Sequence, residues 1–314
     1  MYYLFRPPCI VLLLLVFGSC QSPNEPKESH ISSVDIDILP YEITGYSYDK
    51  RLKEVSGMVK SLRFPGNFWV HNDSGDDPII YRVNDSLQIV QEVFLEDAEH
   101  FDWEDISISE YQGESYLFIG DIGDNLAVRD SVSIYLVKEP MADVTSIEIE
   151  KRMSLTYEDG PRDAELLLFD PSLNEVVIVT KRDIPSRVYS YTITNQDHSR
   201  SLIFEGELNL PQDDELESKD LFRITAGDSS LKGDIILKNY HGVYYFAPQP
   251  MFSIKEQLIN ELPVRLEYER ELQGEAIALD ENGYWVTSEC ADDGKQHIPQ
   301  PLYFYQGYTP INDR

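Results

Sequence analysis

Short apolar or aromatic runs, each bounded by Gly, Asn, Asp or Ser, recur along this chain, and no stretch shows 3.6-residue periodicity over a helix of useful length. Residues 67–71, 116–120, 175–180, 234–237 and 284–287 are rich in Val, Ile, Phe, Tyr and Trp and predict strands. Each is followed by a second run, at 79–83, 133–137, 187–191, 242–246 and 301–305, and all five of these contain tyrosine, as expected where aromatic faces pack between sheets. Further strands are predicted at 87–95, 147–157, 201–210 and 263–268.

Ahead of each pair stands a similar opening: Glu54 in EVSGM, Glu104 in EDISI, Glu165 in AELLLF and Glu275 in GEAIAL, with a look-alike at Asp220 to Gly227 that carries Arg223. Spacings of roughly 50 to 60 residues mark a repeat architecture. The units therefore read as four strands each, and the fold as all-β: a single β-propeller of five four-stranded antiparallel blades, with room for a sixth between Thr194 and Asp220. The fifth unit has no fourth strand of its own. The unpaired segment Val34 to Leu39, resuming after Pro40 as far as Tyr46, is expected to lie beside Tyr303 and close the ring, which removes an aggregation-prone edge.

If every first strand aims its opening residue at the axis, Glu54, Glu104, Glu165 and Glu275 converge, with Arg223 as their counter-ion. Carboxylates that close repel unless a cation, a proton or an arginine intervenes. Calcium is the candidate metal, because it takes oxygen ligands from carboxylates and amides. The Gly-containing turns with Asn72 and Asp73, and with Asp121, Asp124 and Asn125, supply such oxygens after two of the second strands. The same residues are also those that β-turns require, so a purely structural hub is the competing reading. Lys181 and Arg223 are candidates for an anionic substrate group, and Lys181 alternatively for a salt bridge to a neighbouring Glu. His71 is the candidate general base. There is no phosphate loop, no paired-Cys zinc spacing and no nucleophile elbow.

Residues 1–19 hold one cation, Arg6, and the run Cys9 to Phe17, too short for a permanent membrane helix and expected to act as an export signal. Phe17-Gly18-Ser19-Cys20 resembles a bacterial lipoprotein cleavage site, which implies lipidation of Cys20 and anchoring to a membrane of the cell envelope. Residues 20–33 then read as a flexible tether and 34–314 as the propeller. With Cys9 removed and Cys20 acylated, Cys290 is the last thiol; no disulfide framework is expected, and the acidic neighbourhood of Cys290 argues against a nucleophile. The formal charge of −30, taken to −31 by loss of Arg6, argues against nucleic-acid partners and favours divalent cations.

The opening Glu54 to Met58, the triplets Asp102-Trp103-Glu104 and Asp163-Ala164-Glu165, and the turns His71 to Gly75 and Gly120 to Asn125 resemble the calcium-dependent propellers: gluconolactonase, paraoxonase, phytase/esterase-like and SdiA-regulated relatives. In the lactonase-type members a first-blade Glu, with Asn and Asp from later blades, holds a catalytic calcium, and Glu54 matches that first ligand. The resemblance implies a monomeric, calcium-dependent hydrolase of a lactone, ester or phosphoester. The alternative is a non-catalytic propeller that binds a glycan or an envelope protein, its acidic ring purely structural.

Overall fold

The computed structural model describes residues 40–194, 200–211, 218–271, 273–292 and 297–308. The export signal, Cys20, the tether and residues 34–39 lie outside these.

Strand β1 (Tyr41–Ser47) opens the domain. The first blade contains β2 (Val55–Lys60), β3 (Asn67–Asn72), β4 (Ile79–Asn84) and β5 (Ile89–Glu96); the second starts with β6 (Trp103–Tyr111), β7 (Glu114–Asp121) and β8 (Val132–Lys138). After β8 the chain gives a short β9 (Ser146–Glu148), then β10 (Lys151–Tyr157). The predicted strand 147–157 is thus two strands with different partners: β9 adds in parallel to β5 of the first blade, whereas β10 completes the second against β8. The third blade is β11 (Ala164–Asp170), β12 (Glu175–Thr180), β13 (Arg187–Thr192) and β14 (Ser201–Glu207); the fourth is β15 (Ile224–Ser229), β16 (Ile235–Asn239), β17 (Val243–Phe246) and β18 (Val264–Leu266). A seven-residue helix, α1 (Ile254–Asn260), interrupts the fourth blade and packs on β13 and β14. The last sheet holds β19 (Ala276–Asp280), β20 (Gly283–Thr287) and, after the two-residue strands β21 (Ala291–Asp292) and β22 (His297–Ile298), β23 (Gln300–Gln306).

Its outer strand is β1, antiparallel to β23 with Ile43 opposite Tyr303, so a strand from early in the sequence closes the ring as expected. The inner strands touch in a closed circuit, β2 to β6 to β11 to β15 to β19 and back to β2. Between Thr194 and Asp220 the described residues contain no sheet beyond β14. The fold is a β-propeller.

Burial follows position in the blade. The inner strand β11, Ala-Glu-Leu-Leu-Leu-Phe-Asp, is buried throughout, because its two faces meet neighbouring blades, while outer β5 alternates buried and exposed residues. Among the described residues apolar clusters fill the spaces between blades; one brings Phe118 onto Phe169 with ring centroids 4.2 Å apart, and another holds Trp69 and Trp103 fully buried.

Candidate functional site

Four of the inner strands carry the same irregularity near their start. Pairing with the second strand shifts register between Val55 and Gly57, Trp103 and Asp105, Ala164 and Leu166, and Ile224 and Ala226. The extra residue of each bulge is Ser56, Glu104, Glu165 or Thr225, and a bulge redirects its side chain out of the regular alternation. Glu275 stands immediately before β19. The innermost ring is therefore Ser56, Glu104, Glu165, Thr225 and Glu275. It corrects the expected alignment: Glu54 and Arg223 belong two residues earlier, in a second ring with Asp102, Asp163 and Gln273. The opening of EVSGM looks like that of EDISI, but the bulge falls on its serine.

A third set follows the second strands. The amides of Asp73, Gly123, Lys181 and Glu289 donate to the carbonyls of Glu54, Asp102, Asp163 and Gln273, at 2.7, 3.1, 3.0 and 2.9 Å. These four residues hold equivalent places at one mouth of the ring. Three carry ionisable side chains, and the fourth is glycine. A Cβ on Gly123 would come within 2.2 Å of Glu104 Oε1 and 2.5 Å of Asp102 Oδ2, so only glycine lets those two carboxylates pack against the backbone of this turn.

Asp73, Asp102 and Glu104 each place a carboxylate oxygen within 4.8 Å of the others. Burial, with the charges of Asp73 and Asp163 added, pushes Asp102 up to about 7. Glu104 is raised well above the carboxylate range by its burial and by Glu165 and Asp73. Asp73 is also raised, chiefly by burial. This is a set of hard oxygen donors with no direct ion-pair partner among the described residues, eased only from a distance by Lys181 at Asp73 and Glu104 and by Arg129 at Asp102, which fits calcium or magnesium and not a thiophilic metal.

The other half of the ring is neutralised from within. Lys181 contacts Glu165 Oε1 and lies 3.6 Å from Glu275 Oε1, and Tyr240 donates to Glu275 at 2.6 Å. Burial disfavours the Lys181 ammonium, but Glu165 and Glu275 outweigh it and raise its pKa. Burial likewise acts against the Glu275 carboxylate, yet Lys181, Tyr240 and Glu289 hold it below its usual range. Glu289 is pushed the other way, up to about 9, by burial and by the Glu275 charge, so it keeps its proton at neutral pH. Gln273 donates to it at 2.8 Å. The second carboxylate oxygen of Glu165, Oε2, is buried without a hydrogen-bond partner among the described residues.

The remaining candidates stand elsewhere. Glu54 is half-exposed and pairs with Lys53 at 3.2 Å. Arg223 pairs with Asp220 at 2.7 Å, not with the ring glutamates; Lys181 takes the counter-ion place expected of it. Asn72 donates to Arg51 O and Asp76 Oδ2, both at 2.7 Å, and so fixes its own turn. Asp121 binds Arg129 at 2.8 Å, Asp124 accepts from the amides of Val128 and Arg129 at 3.0 and 2.7 Å, and Asn125 accepts from Arg182. That turn is a structural loop whose contribution to the mouth is Gly123. His71 is fully buried, donates to Asn72 O at 2.9 Å and meets Trp103 edge-on at 5.6 Å; burial pushes it down to about 4, so it is a neutral packing residue remote from solvent, not a general base at the mouth.

Sequence reasoning missed Asp102, Glu289, Tyr240 and Gln273. For Asp102 a signal existed, the Asp-x-Glu triplet shared with Asp163 and Glu165. Glu289 and Tyr240 are brought in by the ends of second strands, where no repeated pattern marks them.

The fold has counterparts among solved structures. The Malassezia sympodialis allergen Mala s 1 aligns over 86% of this chain and 97% of its own at 10% identity, with a TM-score of 0.52, a likeness of fold alone. The calcium-binding protein regucalcin from Agrobacterium tumefaciens aligns over 86% and 97% at 14% identity with a TM-score of 0.44. The PQQ-bound aldose sugar dehydrogenase from Streptomyces coelicolor aligns over 83% and 96% at 9% identity with a TM-score of 0.42. No family model matches the chain, and no curated protein does.

Proposed function

We propose that this is an exported lipoprotein of the bacterial cell envelope, anchored through Cys20, whose propeller holds calcium at Asp73, Asp102 and Glu104 and hydrolyses a lactone, ester or phosphoester at the same mouth. The observation that carries the reading is the asymmetry of the acid ring. Glu165 and Glu275 have Lys181 in contact, while Asp73, Asp102 and Glu104 bring carboxylate oxygens within 4.8 Å of one another with no direct ion-pair partner among the described residues. A calcium ion bound there supplies Lewis-acid polarisation of a carbonyl or phosphoryl oxygen and acidifies a water. The protein contributes the rest. Glu165 Oε2, buried without a hydrogen-bond partner among the described residues, is suited to orient a water, and Glu289, protonated at neutral pH, is suited to donate to a leaving oxygen.

One observation favours a second reading, a propeller that displays a binding surface without turnover. Phe101, Leu126 and Val128, on the loops that carry Asp102 and Gly123, are 66%, 81% and 68% exposed, an apolar margin suited to a partner's surface. A panel of lactones, aryl esters and phosphoesters, assayed with calcium and with chelator, separates the two. Turnover that requires calcium and is lost in Asp102→Asn supports the hydrolase. Calcium binding with no turnover of any class assigns the display role.

A further inference from the structure

Lys181 interrupts an otherwise acidic set. Among the four mouth residues whose amides bind the preceding ring, two others bear side chains, Asp73 and Glu289, and both are acids. The lysine is 8% exposed and contacts a carboxylate on its own blade, Glu165, and one on the last blade, Glu275. Glu165 keeps a buried oxygen, Oε2, with no hydrogen-bond partner among the described residues, so a single ammonium leaves this half of the ring incompletely satisfied. Lys238, which also acts on Glu275 from a distance, is fully buried and committed to Glu271 at 3.1 Å, while Lys53 is half-exposed and turned onto Glu54 and Asp76 at 3.2 and 3.4 Å.

We propose that Lys181 is a built-in cation that fills, between Glu165 and Glu275, the place where a second divalent ion would be held, and so limits the mouth to one external ion. This rests on the calcium reading above and deepens it by naming the residue that sets stoichiometry. An ammonium among carboxylates stands in for part of a divalent charge, as positive partners stabilise ionised acids. Its removal leaves Glu165, Glu275 and the free oxygen facing one another with oxygen donors only, the condition that calcium satisfies. The charge of Lys181 also opposes binding at the neighbouring Asp73, Asp102 and Glu104, to an extent that Glu165 and Glu275 normally offset.

Isothermal titration of calcium, with stoichiometry counted by native mass spectrometry, tests this on the purified mature chain. Wild type takes one ion, Lys181→Met takes two, and Lys181→Arg takes one. Adding Glu165→Gln to Lys181→Met removes the second ion. Glu165→Gln alone, nearly isosteric and expected to fold, leaves the Lys181 charge less compensated and weakens the single site about tenfold. If Lys181→Met folds only in millimolar calcium, as followed by circular dichroism, the requirement supports the same assignment. One ion in wild type and one in folded Lys181→Met would overturn the proposal while leaving the calcium site intact, as would an unchanged affinity in Glu165→Gln. No ion bound by wild type would instead remove the calcium reading itself.

Discussion

The Asp228 carboxylate, on the inner strand of the fourth blade, accepts a hydrogen bond at 2.8 Å from the amide of Leu279 on the inner strand of the next. Asp105 does the same for the amide of Leu167, also at 2.8 Å, between the second and third blades. Each aspartate also accepts from the amide that follows it, Ser229 or Ile106. Two interblade seams are therefore closed by a fully buried acid that satisfies backbone amides, and this fixes the ring on which the mouth residues are mounted.

Asp228→Ala removes the acceptor for two buried amides. Unfolding in urea should show a loss of about 2–4 kcal/mol, with Asp228→Asn less affected because it keeps one acceptor oxygen. An alanine variant within about 0.5 kcal/mol of wild type would mean that the seam is held by apolar packing alone.

Stability should also depend on pH in a way that calcium changes. Burial raises Asp102 and Asp228 to about 7 in the folded chain, above their ordinary value of 3.8. The folded state then binds protons that the unfolded state releases, so their contribution is present below about pH 4 and is lost as pH rises toward 7. In chelator the melting temperature should fall between pH 5 and pH 8. Millimolar calcium should cancel the part due to Asp102 and leave that due to Asp228, and Asp228→Asn should remove the latter. A profile identical with and without calcium would contradict the placement of the ion.

Gly57 lies under His71, and a Cβ there would approach His71 Nε2 to 2.4 Å and the Ile106 amide to 3.0 Å. Gly57→Ala should therefore destabilise by about 1–3 kcal/mol through overpacking. The same burial, which holds His71 neutral down to about pH 4, predicts that any pH–rate profile of this protein lacks a limb from His71. A Gly57→Ala variant of native stability would show the seam to be looser than described.

The blades were legible in sequence because their strands are bounded by turn residues and run continuously apolar where both faces are covered, as in Glu175 to Thr180, predicted and observed over the same residues. The closing role of the segment ending near Tyr46 was legible for the same reason. The division of 147–157 was not, because β9 pairs with another blade and nothing local announces it. For the site, Glu104, Glu165 and Glu275 were found by repetition, whereas Glu54 and Arg223 were placed two residues out of register. A bulge leaves no composition signature, so similar openings conceal a serine and a threonine at the axis. For Lys181 the sequence offers an anionic substrate group at the pore mouth or a salt bridge with a neighbouring Glu; the salt bridge is present, with Glu165, and only its depth had to come from the ring.

Gly123→Ala displaces two of the carboxylates assigned to the site. Its methyl group would meet Glu104 Oε1 and Asp102 Oδ2, in a buried turn whose following amides bond to Asp124. Calcium affinity should drop by at least about tenfold, or about 1.4 kcal/mol, and urea stability measured in chelator should fall by about 1–3 kcal/mol. Unaltered affinity would place the ion elsewhere.

Calcium titration of the mature wild-type chain beside Asp102→Asn and Glu104→Gln, followed calorimetrically at neutral pH, bears most directly on the central claim that the unneutralised half of the ring is a cation site. One ion per chain in wild type, with binding abolished or weakened at least about a hundredfold in either variant, is the predicted result. Absence of binding in wild type, or binding that survives unchanged in both variants, would contradict it.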